Sequence, residues 1–363
     1  MTITLRAAIV GAGRIAGTYD DEVTSKRPRE FFQGENRHAG LYTIHPVNHA
    51  DAYRTTPGYE LVAVVGRGRE RLDAFRDRWQ VQAFDDLEAM LTDMRPDVVS
   101  VCVQSAQKAD ITVRIARAGT GVRAIIVEKA MATSMAETDA MIAACEAAGI
   151  RLIVNHPYRF SPVVREARTR IDAGEIGEIG TLGGWSRGGV IHGGTHTFDL
   201  LRYFGGDIEE ITAWGGSDEV WADRGATAML RFASGAVGFV SLERNAMAGF
   251  DIRGSSGAIE ITPHVGESWI VRLSPLDPDS RRAYPMTAKR SPIGTTPPEL
   301  STTQRLLAEV RDALLDGAPI VSSGRDGAAA LEAGIATLIS ARTGTPISLP
   351  LATDLRSISI PNR

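Results

Sequence analysis

Near its start the chain carries a run of apolar, partly β-branched residues, Ala7-Ala8-Ile9-Val10, that stops at Gly11. A continuous apolar run of this length, bounded by a turn residue, predicts a fully buried strand. Similar runs recur at Leu61–Val65, Asp97–Val103, Ala124–Val127 and Arg151–Val154. Among them lie helical stretches at Glu70–Trp79, Lys108–Ala118 and Ser134–Ala148. Buried strands alternating with helices predict an α/β Rossmann domain, a doubly wound parallel sheet, over residues 1–155.

One interval breaks the rhythm. After Gly17 the next strand arrives only at Leu61, and the intervening residues 18–48 are polar and mixed in charge. They include Asp20-Asp21-Glu22 and Lys26-Arg27-Pro28-Arg29-Glu30. A structureless stretch this long is uncommon in a compact domain unless it is functional or disordered. Phe31, Phe32, Tyr42, Ile44 and His45 offer it anchors, so the expectation is an inserted flap, with helix resuming at His49–Arg54.

The pattern changes after Pro162. A helix over Pro162–Ala173 leads through Gly174-Glu175-Ile176-Gly177 into strand-like segments. These fall at Gly180–Ser186, Ile208–Trp214, Ala226–Ala233, Ala236–Glu243, Phe250–Arg253, Ala258–Ile261 and Trp269–Leu273. Ser234-Gly235 and Ser255-Ser256-Gly257 read as turns between them. Strands in unbroken succession predict an α+β domain over residues 156–363 with an open, mostly antiparallel sheet. Residues 274–298, rich in Pro, Ser and Arg, read as a surface loop. Helices near Ser301–Leu315 and Arg325–Ala341 and a short strand at Pro346–Leu349 close the chain, and this last segment is a candidate to pack back on the first domain.

Composition narrows the class. With 363 residues, 43% hydrophobic and 23% charged, the chain has room for about two domains. A net charge of −4 gives no basic footprint for nucleic acid, and no apolar run has the length to span a membrane. No secretion signal is expected from the residues ahead of the first strand, and the two cysteines, Cys102 and Cys145, lie in apolar segments. Reduced core thiols and a cytoplasmic setting are therefore expected.

The turn after the first strand carries chemistry. Gly11, Gly13 and Ala16 stand at the G-x-G-x-x-A spacing. The first glycine permits a tight turn, the second lets the backbone approach a pyrophosphate, and the alanine lets the helix sit against the strand. Unpaired amides at the helix start then face the phosphates. A dinucleotide site follows, and the inserted flap becomes a candidate cover for cofactor or substrate. An acidic residue at the end of the second strand would accept hydrogen bonds from the ribose hydroxyls of NAD. The chain instead has Gly66-Arg67-Gly68-Arg69 there, with Arg71 beyond and no carboxylate before Glu70. Arginine suits a 2′-phosphate, so NADP is expected over NAD. Three further strand ends, where ligands gather in such sheets, carry Gln104-Ser105, Glu128-Lys129 and Asn155-His156.

Taken in order, Gly11-Ala12-Gly13-Arg14-Ile15-Ala16, Glu128-Lys129, Asn155 with Arg159-Phe160, and Gly194-Thr195-His196-Thr197-Phe198-Asp199 resemble the Gfo/Idh/MocA oxidoreductases. The likeness runs over nearly the whole chain, to Gly317-Ala318-Pro319-Ile320 and the last long helix. It implies hydride transfer between a nicotinamide and a hydroxyl of a sugar, sugar derivative or cyclitol, in a cleft between the two domains. It also implies that Gly11, Gly13, Arg14, Ile15, Ala16, Arg67, Gln104, Glu128 and Lys129 meet the cofactor. Asn155, His156, Arg159, His192 and Asp199 are then expected on the substrate side, with Tyr158 beside them.

Two groups are candidates for the reaction itself. Oxidising an alcohol requires a group that takes the hydroxyl proton while a hydride leaves the same carbon. A neutral imidazole, with an unperturbed pKa of about 6.5, does so at cellular pH, and His196 is the candidate. An ammonium beside the substrate oxygen stabilises the developing alkoxide, and Lys129 is the candidate. Asp199 follows His196 by three, on the same helix face, and is expected to orient that imidazole or to bind a substrate hydroxyl. Arg159 also reads as an ion-pair partner for an acidic neighbour in the second domain.

The chain departs from the family pattern twice. Ala130 stands where the family has proline, leaving the peptide that aims Lys129 less constrained. His192 stands where many relatives have aspartate, which points to a changed substrate preference or reaction. His192 and His196 with Asp199 also suggest a metal site, but Gly193 and Gly194 between the histidines argue against one regular helix holding both, and no metal is expected. Two other readings keep the fold: a tightly held nucleotide that assists elimination or glycoside cleavage, and a non-catalytic nucleotide sensor. An exposed open sheet predicts a homo-oligomer, a dimer or tetramer.

Overall fold

In a computed structural model of the chain, the apolar runs of the first half pair as one six-stranded parallel sheet. Residues 3–21, 45–215, 221–262, 268–275, 286–294 and 299–361 are described. The flap expected over 18–48 therefore lies largely outside the described residues. The strands are β1 (Leu5–Val10), β2 (Tyr59–Val65), β3 (Gln82–Phe84), β4 (Val98–Val101), β5 (Ala124–Glu128) and β6 (Arg151–Asn155), in the order β3-β2-β1-β4-β5-β6. Order reverses between β1 and β4, and ligands of such sheets bind at the carboxyl ends beside that reversal. The helices are α1 (His49–Thr55), α2 (Arg69–Trp79), α3 (Leu87–Met94), α4 (Ser105–Arg117) and α5 (Met135–Ala147).

Two of these elements escape the reading of the sequence. β3 is three residues long, so it is too short for a pattern to declare it. α3 had a usable signal: Leu87, Met90, Leu91 and Met94 are buried at helical spacing, and the Asp86 side chain caps the helix by accepting the Ala89 N–H at 2.7 Å.

A turn at Pro157–Phe160 and helix α6 (Pro162–Asp172) lead to a second, nine-stranded sheet. It comprises β7 (Ile179–Arg187), β8 (Ile208–Gly215), β9 (Ala226–Phe232), β10 (Val237–Ser241), β11 (Arg244–Gly254), β12 (Gly257–Ile261), β13 (Ser268–Pro275), β14 (Met286–Ile293) and β15 (Ile347–Ser348). Its neighbours are antiparallel except β7 and β10, which run parallel. The stretch 274–298, read as surface loop, is corrected by β14, which pairs with β13 from Pro275↔Met286 to Ser268↔Ile293. β14 is an edge strand carrying Lys289, Arg290 and Ser291, so it lacks the apolar alternation that burial imposes on inner strands.

Helix α7 (Gly194–Gly205) lies on β7, and the last long helix, α9 (Gly324–Thr343), packs on β8, α7, α5 and β6. Gly327 makes the last contact possible, since a Cβ there would lie 2.4 Å from the Val154 side chain. Helix α8 (Thr302–Leu315) joins the core around β1 and α1 through Leu306, Leu307 and Val310. Tyr59 donates its hydroxyl to the Leu307 carbonyl at 2.8 Å, and Thr303 does the same to Val47 at 2.8 Å. The other face of the large sheet leaves Trp214, Met229, Val237 and Phe239 exposed. Among the described residues no helix is long and apolar enough to cross a membrane.

Candidate active site

β1 ends in a turn that only glycine suits. Gly11 has φ +105°, and a Cβ there would come within 2.7 Å of the Cys102 carbonyl oxygen. A Cβ on Gly13 would meet nothing within 4 Å, so space stands open before the helical turn Arg14–Thr18. Ala16 is fully buried behind it. Backbone amides at a helical start facing unobstructed space fit the pyrophosphate of a dinucleotide. The turn opens into a cleft of about 1430 Å³ that reaches from the end of β2 to the start of α7. Gly11, Gly13, Arg14, Ile15, Arg67, Gln104, Glu128, Lys129, Asn155, His192 and His196 all line it; Ala16, His156, Arg159 and Asp199 do not.

Glu128, at the end of β5, is the hub of a buried network. Its Oε1 lies 3.0 Å from His49 Nε2 and accepts from Asn155 Nδ2 at 2.7 Å. His49 Nδ1 is 3.0 Å from Ser100 Oγ, which is 2.7 Å from the Tyr53 hydroxyl. Burial works against the charge on Glu128, but His49, Lys108 and Asn155 hold its pKa below the ordinary carboxylate value. Burial likewise opposes a charged His49, and Cys102 and Glu128 beside it push its pKa up.

Lys108, on α4, reaches under the same strand end. The residue is 2% exposed, and its ammonium donates to the carbonyls of Glu128 at 2.6 Å, Ala130 at 2.7 Å and Lys129 at 3.2 Å. The Lys129–Ala130 peptide is cis. The peptide expected to be loosely constrained without proline thus has a buried ammonium bonded to the carbonyls on both sides of it. Burial draws Lys108 down to about 8.

Lys129 itself is partly buried, and its Nζ donates to the His192 carbonyl at 2.8 Å. Burial lowers its pKa, while Glu128 and Asp223 act in the opposite sense. His196, in the first turn of α7, packs against the rings of Tyr158 at 5.1 Å and His156 at 5.8 Å. The cleft is therefore lined by an ammonium that follows β5 and an imidazole on α7.

Asp199 does not serve His196 in this geometry. It is fully buried; its Oδ1 lies 2.9 Å from His156 Nδ1 and its Oδ2 accepts from Arg159 Nε at 2.9 Å. Arg159 also meets Asp326 at 3.1 Å and donates to the Val321 carbonyl. Burial raises the pKa of Asp199, but His156 and Arg159 outweigh it and hold the carboxyl at about 2. The i+3 spacing puts Asp199 near His196, yet a buried carboxylate goes to the partners within reach, and those are Arg159 of the Pro157–Phe160 turn and His156 just before it. His156, Arg159 and Asp199, expected on the substrate, form an ion cluster beneath the cleft. Among the described residues, no three His, Cys, Asp or Glu side chains are grouped to hold a metal ion.

Three residues with a part in this arrangement carry no sequence motif: His49, Lys108 and Asp223. For Lys108 a trace exists, since a lysine sits on the inward face of a helix with Ala109, Thr112 and Ile115.

Comparison with known proteins agrees with this geometry. Residues 5–156 match the model of the oxidoreductase family with an NAD-binding Rossmann fold, Gfo/Idh/MocA, and residues 164–260 match that family's C-terminal domain. The chain belongs to the Gfo/Idh/MocA oxidoreductases. It is 25% identical to a D-apiose dehydrogenase of Paraburkholderia graminis over 83% of this chain and 86% of that one. It is 27% identical to a myo-inositol 2-dehydrogenase of Thermotoga maritima over 61% of this chain and 73% of that one. The WlbA dehydrogenase of Bordetella pertussis, solved with NADH and UDP-GlcNAcA, shares the fold with a TM-score of 0.74 at 21% identity, over 96% of this chain and 99% of that one. The Gfo/Idh/MocA match makes this chain an oxidoreductase of a family with an NAD-binding Rossmann fold.

Proposed function

We propose that this Gfo/Idh/MocA enzyme moves a hydride between a nicotinamide and a hydroxyl of a sugar, sugar derivative or cyclitol, with Lys129 and His196 at the reacting carbon. What supports this is that both side chains, Lys129 just after β5 and His196 on α7, line the cleft that the Gly11–Ala16 turn opens into. Gly11, Gly13, Arg14 and Ile15 would hold the dinucleotide phosphates, and Gln104, Glu128 and Lys129 its nicotinamide half. When bound, the nicotinamide supplies the hydride-accepting carbon. His196 takes the substrate hydroxyl proton on its imidazole, and the Lys129 ammonium stabilises negative charge on that oxygen. Asn155, held by Glu128, and His192, which also lines the cleft, present polar groups to the remaining substrate hydroxyls.

The test is turnover against a panel of sugars and inositols with both nicotinamides, in wild type and in Lys129→Met and His196→Phe. Both variants should lose turnover and keep nucleotide binding; turnover in either removes its residue from the mechanism. A net gain of reduced-nicotinamide absorbance distinguishes dehydrogenation from chemistry on a tightly held cofactor. NADP is the preferred form in this reading, because Arg67 and Arg71 line the cleft at the end of β2. Asp85 and Asp86 line it too, so the comparison must be direct. Arg67→Ala should raise the KM for NADP about tenfold or more, a charge-assisted bond's worth, and leave NAD unchanged. A wild type that prefers NAD ends the NADP reading. The exposed face bearing Trp214, Met229, Val237 and Phe239 supports association of this chain with itself.

A further inference from the structure

Asp223 lies between β8 and β9, far along the chain from Lys129 and outside any motif. Its two carboxylate oxygens accept the backbone N–H of Ile191 at 2.7 Å and of His192 at 2.8 Å. The carbonyl of His192 is the group that receives Lys129 Nζ at 2.8 Å. One residue, His192, therefore links a carboxylate on one side to an ammonium on the other. The neighbourhood is shaped for this contact. A Cβ on Gly189 would lie 2.4 Å from the Asp223 carboxyl, so a side chain there would evict it. The amides of Gly193 and Gly194 both donate to the Gly189 carbonyl at 3.0 Å, and Val190 donates to the Arg224 carbonyl at 2.9 Å. The turn that leads into α7 and His196 is thus bound to the segment carrying Asp223.

We propose that Asp223 is a positioning residue for Lys129: it holds the backbone whose carbonyl receives the ammonium, and it brings to that ammonium a negative charge from the segment between β8 and β9. This rests on the reading of Lys129 as the ammonium at the reacting carbon. The charged and titratable groups around Lys129 are Glu128 beside it, Lys108 beneath it, Asp223 behind His192, and His192 and His196 in the same cleft. Burial favours the neutral amine, and Asp223 with Glu128 favours the ammonium. Neutralising Asp223 therefore lowers the pKa of Lys129. Because the ammonium is the form that stabilises the alkoxide, the alkaline limb of the kcat profile moves to lower pH.

Asp223→Asn tests this, with Asp223→Glu as the variant that keeps the charge. The expected result is an alkaline limb shifted down by about one pH unit in Asn and in place, at reduced kcat, in Glu. Competitive acetylation of Lys129 across pH, read by mass spectrometry, should show the same shift and needs no substrate. If wild type oxidises no polyol, the dehydrogenase reading fails while the labelling curve still reports on Asp223. A Lys129 labelling curve that is the same in wild type and Asp223→Asn overturns the proposal. Should the Asn variant not bind nucleotide, Asp223→Ser gives a smaller neutral side chain and the same readout. If neither neutral variant binds nucleotide, Asp223 is a residue of the fold and the proposal falls.

Discussion

Replacing Asp199 by alanine should destabilise the protein strongly without touching the cleft wall. The carboxylate is fully buried between His156 and Arg159, whose side chains are 2% and 5% exposed. Its pKa falls from 3.8 to about 2 on folding, nearly two units, equivalent to about 2–3 kcal/mol of stability. Removal costs more than that figure, because it also leaves the buried Arg159 guanidinium and the His156 ring without their carboxylate partner. Arg159 retains Asp326, itself 30% exposed, and one carbonyl, while His156 loses its carboxylate. The expected loss is about 3–5 kcal/mol at pH 7. A folded pKa below the unfolded one gives stability that is complete above about pH 4 and disappears as pH falls through about 2. Urea unfolding followed by tryptophan fluorescence should therefore separate wild type and Asp199→Ala widely at pH 7, with the gap closing below pH 4. A loss under about 1 kcal/mol at pH 7, or a gap independent of pH, would refute the ion-cluster account. If stability were unchanged and KM rose instead, Asp199 would be the substrate contact that its spacing from His196 suggests.

Other variants probe the remaining parts. Gly11→Ala forces a side chain into φ +105° and against the Cys102 carbonyl, so nucleotide affinity should fall at least about tenfold by fluorescence titration; unaltered affinity would contradict the turn described here. Lys108→Met leaves the carbonyls of Glu128, Lys129 and Ala130 without their donor, so kcat should drop about tenfold or more in steady-state assays. Since Lys108 titrates at about 8 folded against 10.5 unfolded, wild type should gain stability relative to Lys108→Met as pH rises through that window, and a flat difference would contradict its buried charge. Phe239→Glu places a charge on the exposed sheet face opposite Met229, and sedimentation should show a smaller species than wild type; equal mass removes that face as an interface.

Much of the molecule is legible along the chain, and the reason is local. A strand buried on both faces needs consecutive apolar residues, so β1, β4 and β5 announce themselves, and a nucleotide turn needs glycine at fixed offsets, so Gly11 and Gly13 do too. The strand ends then point to Gln104, Ser105, Glu128, Lys129, Asn155 and His156, all of which but the buried His156 line the cleft. Where the pattern misleads, the missing information is a partner. β14 has no alternating burial because it is an edge, and only its register with β13 makes it a strand.

The charged groups show the same division more sharply. The family resemblance together with residue type picks out Lys129 and His196 as reactive candidates, because chemistry attaches to the side chain itself. Which charge neutralises which depends on segments that meet only after folding. Asp199 lies three residues from His196 in the chain but gives its carboxylate to His156 and Arg159. Glu128 draws in His49 from the far side of the insertion, and the His192 backbone is held by Asp223 from beyond β8. Burial makes an unpaired charge costly, so the fold settles each pairing by what it brings within reach, and adjacency in the chain carries little weight.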